Sequence, residues 1–439
     1  MMADWVYRRS DTPRGARDWL VYSAQWLVTM FYAVVWAYAI VGVGLGFTGA
    51  RLTGYLSAAV LMIGLATLLQ VWIGHRMAMV SGPNVIPSLA IVAAFSTGGI
   101  DYALQAFTAQ AIAGLVVAAL VFAGMIRSIR RLWSPLVLGA MVMMVGLSVA
   151  GLGIASMARE GLGLNFFLAL ALALGGCVLA IRGRGLFATL PPLFIIGLGY
   201  LVFLALGEVD TRLIGEAPMF TVPALFPYGL SMPPWDLVVV MVIVNLMAAL
   251  NLYGNLQGYG DVIGETIEAG DERRSFTIFA LVETSLAGVL GVPATVAYAE
   301  NLGIVQLTRV AARAFILVAA AIFLVLSCVG PFVALMAAMP NEVVGAVLLG
   351  IASSVLGIGA RTFSAAPAFE RREQTLVGFA MFLSLGLYLL PDAAWTHTPA
   401  LLRTIFANPV ISVILFVMLF EHVVFRTSPS TEEKSHEPG

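Results

Sequence analysis

Two glutamates, Glu283 and Glu300, stand in stretches of sequence that are otherwise almost wholly apolar. An ionised carboxylate in apolar surroundings is costly, so such a residue usually faces a partner or a ligand. An ionised carboxylate only accepts hydrogen bonds, so Glu300 is suited to a ligand that carries N–H groups. The alternative is a structural salt bridge with Arg309 or Arg313. Nothing near Glu283 in the sequence breaks a helix, and a hydrogen-bonding role is as plausible for it as a functional one. Either carboxylate could also bind a proton.

Uncharged amides occur in two other apolar stretches. Asn251 and Asn255 are four residues apart, so one face of a helix presents both side chains. Gln25 lies in an apolar run near the beginning of the chain. Amides in such surroundings either tie helices together or contact a ligand, and the sequence leaves both roles open.

Glycine and proline interrupt two further apolar stretches. One contains Gly82 and Pro83, and the other contains Gly291 and Pro293. Proline lacks an N–H group and fixes φ, so we expect an extended segment that leads into a half-helix at each place. The first N–H groups of such a half-helix can hold an acceptor or a partial negative charge. Two kinked packing helices are the alternative.

The chain that positions these residues has the composition of a polytopic membrane protein. Of its 439 residues, 60% are hydrophobic and 11% are charged, whereas soluble domains are about 45–50% apolar and about 25% charged. The net charge of −1 excludes a nucleic-acid binder, which needs a basic surface. The four histidines and two cysteines form no metal-ligand set or nucleophile–base pair. We therefore expect no cofactor, no metal and no enzymatic activity.

Charged residues divide the chain into stretches long enough to cross a bilayer, which takes about 20 residues each. Fourteen such spans can be counted, seven on each side of a proline-rich loop between Glu208 and Asp236. If the N-terminus is cytoplasmic, 19 of the 23 arginines and lysines lie inside, as the positive-inside rule requires. The four that lie outside are Arg51, Arg159, Arg212 and Arg403.

Seven is an odd number, so the second half of the chain begins on the opposite side of the membrane from the first half. This arrangement is typical of an inverted repeat, in which broken segments at matching positions form the binding site of a secondary transporter. We therefore predict an all-α polytopic membrane protein of 14 transmembrane segments in a 7+7 inverted repeat. Short extended strands are expected in segments 3 and 10. The expected location is the inner (plasma) membrane, with both termini cytoplasmic.

Residues Glu300 to Arg309 resemble the signature of the nucleobase–ascorbate transporter family, which includes the uracil and xanthine permeases (nucleobase:cation symporter-2). That signature is Gln or Glu, then Asn, any residue, Gly, four residues, Thr and Arg, and every fixed position matches here. The Gly-Pro-Asn-Val run at 82–85 and the Gln25–Trp26 pair are similar to weaker family motifs in segments 3 and 1.

The resemblance implies a core domain of segments 1–4 and 8–11 and a gate domain of segments 5–7 and 12–14. In this chain the implied division is a cytoplasmic N-terminus at 1–17, core domain at 18–126 and 236–340, gate domain at 127–207 and 341–426, an outer loop at 208–235 and a cytoplasmic tail at 427–439. Family members often dimerise through the gate domain, so a homodimer is expected.

The resemblance also implies a substrate site between the two short strands. Glu300 would hydrogen-bond the base, while Ala299 and Val85 would offer backbone N–H groups to its oxygens and Tyr298 would line the pocket. The remaining candidate contacts are Asn84, Asn251, Asn255, Asn301 and Gln25.

Four positions depart from the family pattern. Asn251 stands where members usually have a glutamate, and Asn255 stands where uracil carriers often have a histidine; Trp26 replaces a histidine and Asn84 replaces a serine. An amide both donates and accepts, so the ring edge that is recognised can differ from that of uracil. The expected function is import of uracil, xanthine or a related base by alternating access. A proton is the expected coupling ion, with Glu300 and Glu283 as the candidates for carrying it, and sodium is left open as the alternative. An anion carrier for sulfate or a carboxylate, with the same general fold, is the alternative.

Overall fold

The computed structural model describes residues 5–125, 134–183, 191–364 and 369–425, and most of this chain is helical. The helices of the first half are α1 (Ala16–Trp36, continued by the π-helical turn Ala37–Gly42), α2 (Gly49–Trp72), α3 (Val85–Phe122), α4 (Pro135–Met157), α5 (Leu164–Arg182), α6 (Pro191–Ala205) and α7 (Thr211–Gly215). Those of the second half are α8 (Trp235–Ile263), α9 (Ala269–Ile278), α10 (Glu300–Thr308), α11 (Arg313–Leu326), α12 (Gly330–Ala337), α13 (Asn341–Ser364), α14 (Arg371–Tyr388), α15 (Ala400–Phe406) and α16 (Pro409–Leu419).

Seven helices of the described residues are long and apolar enough to cross a membrane, namely α1 with its continuation, α2, α3, α4, α5, α8 and α13. The pair α15 and α16, bent by 87°, would make an eighth. Helix α3 has 38 residues and is broken at Gly99, where φ is 76°. A straight helix of that length would measure about 57 Å, far more than the hydrocarbon core of about 30 Å. Helices α6 and α11 are apolar but shorter, and the count of fourteen segments in a 7+7 repeat stays a prediction.

Two three-residue strands, β1 (Ser81–Pro83) and β2 (Thr295–Ala297), form an antiparallel pair. The register places Ser81 opposite Ala297, Gly82 opposite Val296 and Pro83 opposite Thr295. All six strand residues are buried. Strand β1 leads almost directly into α3, and β2 leads almost directly into α10. The N-terminal ends of two helices therefore meet at the strand pair.

The helices pack in two sets. In the first set, α3 packs on α8, and α1 and α2 pack on α11. In the second set, α4 packs on α13 and α16, and α13 also packs on α5 and α6. The contact between α4 and α13 is a close backbone approach, since a Cβ atom added to Gly345 would lie 2.5 Å from the carbonyl oxygen of Gly153. Small residues permit such an approach between membrane helices.

The region around Glu283 is not the regular helix that its sequence suggests. Helix α9 is followed by a π-helical segment, Phe279–Leu286, and one further helical turn, Ala287–Val289. Close packing on α3 explains the irregularity: a Cβ added to Gly114 would lie 2.6 Å from the Ala280 carbonyl oxygen, and one added to Gly288 would lie 2.5 Å from that of Phe107. Single π-helical turns within helices are often found at functional sites.

Candidate substrate site between the strands

A cavity of about 120 Å³ lies between the strand pair and helices α4, α8 and α13. Seven of the nine residues predicted to contact substrate line it: Asn84, Val85, Asn251, Asn255, Tyr298, Ala299 and Glu300. They come from three separate parts of the chain, which the strand pairing and the packing of α8 bring together. The structure thus assembles these side chains around one space, and their role in binding stays a prediction.

A second and larger cavity, of about 440 Å³, meets the first at Glu300 and Tyr298, which line both. Asn301 lines the larger cavity together with Thr29 and Tyr32 of α1 and with residues of α5, α6 and α13. Its lining residues on α5, 176–181, lie next to Arg182, on the side predicted to be cytoplasmic. Glu300 and Tyr298 therefore form the wall between the two spaces.

Glu300 is partly buried and is the first residue of α10. Within the described residues it forms no salt bridge with Arg309 or Arg313. Arg309 ends α10 in a left-handed conformation, with φ of 56°, and its carbonyl oxygen accepts hydrogen bonds from the N–H groups of Val6 and Tyr7 at 3.0 and 3.3 Å. Nine residues of helix place the two ends about 13 Å apart. The carboxylate is left to face the cavities.

Val85 and Ala299 lie at the starts of the two helices that meet at the strands. Val85 is the first residue of α3, and Ala299 precedes the first residue of α10. The first N–H groups of a helix have no partner within it, and the positive end of the helix dipole lies there. Asn84 caps α3, since its Oδ1 accepts from the Ile86 N–H at 2.9 Å. Its Nδ2 is buried without a partner, so the site is rich in donors.

The two asparagines of α8 form a pair on one helix face, as their spacing predicts. Asn255 Nδ2 donates to Asn251 Oδ1 at 2.8 Å and to the carbonyl oxygen of Ala297 at 2.7 Å. The second bond fixes α8 to the end of β2. Among the described residues, Asn251 Nδ2 and Asn255 Oδ1 have no protein partner, so the pair offers one donor and one acceptor to the cavity.

Tyr298 and Asn301 hold the two strands together at the site. The N–H of Tyr298 donates to the Val80 carbonyl oxygen at 3.0 Å, and its hydroxyl donates to that of Pro83 at 3.0 Å. Asn301 Nδ2 donates to the carbonyl oxygens of Tyr298 and Val80 at 2.7 and 3.2 Å. Asn301 therefore supports the loop that carries Glu300 as well as lining the larger cavity.

Gln25 is not among the residues that line the two cavities, and its role in binding stays a prediction. Its side chain is buried on α1 and lines neither cavity. Two aromatic residues further along α1 take that place: Tyr32 lines the larger cavity and Trp36 the smaller one. Trp36 Nε1 is buried; among the described residues it has no partner in strict hydrogen-bond geometry, although the Tyr32 hydroxyl lies beside it.

Sequence reasoning also missed the wall that faces the strands. It consists of apolar residues of α4 and α13, namely Met141, Val142, Val145, Val355 and Ile358. In a chain this apolar, no compositional signal separates them from residues that face lipid. Glu283, predicted as a coupling candidate and not as a substrate contact, is fully buried behind the strands and lines neither cavity. Among the described residues, no group of three or more His, Cys, Asp or Glu side chains could hold a metal ion.

Comparison with solved structures supports a transporter fold. The transmembrane domain of a cyanobacterial bicarbonate transporter, BicA, superposes with a TM-score of 0.61. The match covers 92% of this chain and 99% of that domain, at 14% sequence identity. At this identity the likeness shows the fold alone.

Curated relatives match along nearly the whole chain. A putative purine permease of Clostridium perfringens is 26% identical over 94% of this chain and 92% of its own length. The uracil permease of Bacillus caldolyticus is 26% identical over 84% and 85%, and the xanthine permease of Bacillus subtilis is 23% identical over 94% and 95%. The model of the xanthine/uracil permeases, described as "Permease family", matches residues 17–393. The chain therefore belongs to the xanthine/uracil permease family, which carries nucleobases across membranes.

Proposed function

We propose that this protein imports an oxo-substituted nucleobase, such as uracil, xanthine or a related base, by alternating access and in symport with protons. One observation carries the proposal: the Glu300 carboxylate stands beside two helix N-termini on the wall of a single cavity. The carboxylate can only accept, while the helix starts at Val85 and Ala299 can only donate. A neutral ring whose N–H groups alternate with carbonyl oxygens complements both.

The aromatic and amide groups around this centre suit the same ligand. Trp36 on the cavity wall offers a ring face, and aromatic faces stack well on bases. The asparagine pair adds one donor and one acceptor, and it includes Asn251, the position at which family members usually have a glutamate. Relatives named as purine, uracil and xanthine permeases support the substrate class.

The packing of the helices supports alternating access by two moving parts. The strand pair is built into the set that contains α1, α2, α3, α8 and α11, and we propose that this set forms the core domain (18–126 and 236–340). The opposite cavity wall comes from α4 and α13, in the implied gate domain (127–207 and 341–426). The larger cavity lies on the predicted cytoplasmic side, so we assign this structure to an inward-facing state. A plasma-membrane location with both termini cytoplasmic, and a dimer through the gate domain, complete the proposal.

An anion carrier is the second candidate, because helix N-termini favour anions. Glu300 argues against it, since a negative charge at the point where both helices begin repels a bound anion. Sulfate and bicarbonate are therefore expected to compete poorly with a neutral base.

Uptake into proteoliposomes tests the proposal. Purified protein is assayed with labelled uracil, xanthine, uric acid, sulfate and bicarbonate, and thermal shift is measured with the same compounds, because a ligand of the folded state raises its apparent stability. We expect a base to be taken up and to stabilise the protein, and Glu300→Gln to abolish both effects while still inserting. Glu268→Gln, at an exposed position before α9, is the matched control. Wild-type uptake by Glu300→Gln at every pH, or transport of an anion that bases do not inhibit, contradicts the proposal.

A further inference from the structure

The strand pair has a front face toward the substrate and a back face away from it. On the front, Val296 lines the smaller cavity, and a Cβ added to Gly82 would lie 2.5 Å from the Tyr298 hydroxyl. Side chains alternate between the faces of a strand, so Ser81 and Thr295 point to the back. There both hydroxyl groups face the carboxyl group of Glu283.

Glu283 is fully buried in the π-helical segment, and its carboxyl group is only half satisfied. Gln70 of α2 donates Nε2 to Glu283 Oε2 at 2.7 Å. Gln70 is held in place because its Oε1 accepts from Ser275 Oγ at 2.8 Å. Ser81 Oγ and Thr295 Oγ1 lie beside the Glu283 carboxyl group, and both hydroxyls and Glu283 Oε1 are buried; among the described residues none of the three atoms has a partner in strict hydrogen-bond geometry.

No charged group offsets Glu283 among the described residues. The polar side chains that surrounding elements place around it are uncharged: Gln70 from α2, Ser81 from β1, Thr295 from β2, Gln110 from α3 and Ser275 from α9. Ionisable residues of the neighbouring segments are engaged elsewhere. Asp271 of α9 binds Arg274, and His75, after α2, accepts from the Met77 N–H through Nδ1 at 3.0 Å.

Apart from Gln70, an ionised Glu283 could draw only on the two neutral hydroxyls, so it would be a buried charge without a counter-charge, which is a costly state. A bound metal cation or a proton would relieve it. Hard cations commonly take about six or more oxygen ligands, and three unpartnered oxygens fall short of that. A proton on Oε1 removes the charge and creates an O–H donor for a neighbouring hydroxyl, which can accept it and still donate.

We propose that Glu283, Ser81 and Thr295 form a proton-binding site on the back of the strands, separate from the base-binding carboxylate Glu300. The role of this proton as the coupling ion rests on the proposed function, whereas its binding does not. Two carboxylates on opposite faces let the base and the proton bind together, without competing for one group.

The strands connect the two faces. When Glu283 loses its proton, the anion accepts from both hydroxyls, so Ser81 of β1 and Thr295 of β2 are drawn toward it. Their strands carry the front face, where Tyr298 is bonded to Pro83 and where both helices begin. The protonation state of Glu283 is thereby linked to the positions of the groups on the front face that contact the base.

Infrared difference spectra of the full chain in lipid, recorded between acid and alkaline pH without substrate, test proton binding directly. We expect a carbonyl stretching band of a protonated carboxylic acid that is lost in Glu283→Gln and shifted in Ser81→Ala and Thr295→Val. The control is Asp236→Asn, since Asp236 is a buried carboxylate elsewhere, bonded to the Tyr102 hydroxyl. This variant should leave the band unchanged. The two hydroxyl variants keep the test decisive if Glu283→Gln folds poorly.

Transport under an imposed pH gradient then tests coupling. In proteoliposomes, Glu283→Gln should still exchange labelled base across the membrane but should lose accumulation above passive equilibration.

Two results would overturn the proton site. One is an infrared band that persists in Glu283→Gln, and the other is accumulation of base by that variant at the wild-type level. The same measurements are made in sodium and in choline buffers. If sodium removes the band and drives accumulation of the base, the site binds sodium and the proton assignment is wrong. If the band behaves as expected but no base is transported by the wild type, the proton site stands and the proposed substrate falls.

Discussion

The hydroxyl of Tyr298 donates a 3.0 Å hydrogen bond to the carbonyl oxygen of Pro83, so the residue that follows β2 is tied to the last residue of β1. This bond crosses the front of the strand pair, next to the cavity that Glu300 lines. Its formation depends on Gly82, because the tyrosine ring occupies the space that any larger residue would need.

Replacement of Gly82 by alanine tests this dependence. The added Cβ would lie 2.5 Å from the Tyr298 hydroxyl oxygen and 2.8 Å from Ala33 Cβ. Overpacking of this kind costs about 1–3 kcal/mol, so we expect apparent affinity for the base to fall by about tenfold or more. Gly54→Ala is the control, because a Cβ added there meets nothing within 4 Å. Equal kinetics for the two variants in uptake assays would show that the position of Tyr298 does not matter.

We expect Asn255 both to hold β2 in place and to contact the ligand. Asn255→Leu leaves the Ala297 carbonyl oxygen and Asn251 Oδ1 without their donor, and an unsatisfied buried group costs about 1–3 kcal/mol. We expect base binding, measured by thermal shift, to weaken by about tenfold or more.

The same helix provides the control for this change. Asn245→Leu removes only a bond to the Met241 carbonyl oxygen one turn away, at 2.8 Å, and Asn245 lines neither cavity. Binding by this variant should remain close to that of the wild type. A similar loss in both variants would mean that the amides of α8 act only as structural ties.

Part of this site could be read from the sequence because its signals are local. Glycine and proline near Pro83 and Pro293 interrupt helices wherever they occur, and a carboxylate at 300 is conspicuous in an apolar stretch. The asparagine pair follows from helical spacing alone. These features predicted the extended segments and the helix starts, whereas the meeting of these residues at one site was implied by the family resemblance.

Other parts depend on contacts between distant segments. Glu283 lies behind the strands only because β1 pairs with β2, and its π-helical surroundings follow from the packing of Gly114 and Gly288 on and around α3. Trp36 rather than Gln25 lines the cavity because it lies about 16 Å further along the same face of α1, and the sequence does not reveal at which depth α1 passes the cavity. The predicted fourteen segments likewise depend on where short and broken helices stand in the bilayer.

The reactivity of the Cys177 thiol measures access to the larger cavity. Cys177 is an exposed free thiol that lines this cavity together with Glu300. We expect a membrane-impermeant thiol reagent to inhibit uptake from the predicted cytoplasmic side, and a bound base to slow the reaction. In Cys177→Ser inhibition should disappear, whereas in Cys328→Ser it should persist. In Glu300→Gln the base should no longer protect Cys177 from the reagent. Labelling that the base does not affect in the wild type would separate this cavity from the transport route.

Topology is tested by accessibility at two exposed positions on opposite sides of the predicted membrane. Arg212 lies in the short helix α7 of the proline-rich loop, and Glu268 precedes α9. Both side chains are exposed. The bias of arginine and lysine predicts that Arg212 lies outside and Glu268 inside.

In a background that lacks Cys177 and Cys328, Arg212→Cys should react with an impermeant maleimide in intact cells, and Glu268→Cys should react only after permeabilisation. Helix α8 connects the two positions as one membrane-spanning helix of 29 residues, so both results must hold together. The reverse pattern would invert the orientation, and the larger cavity would then face the outside of the cell.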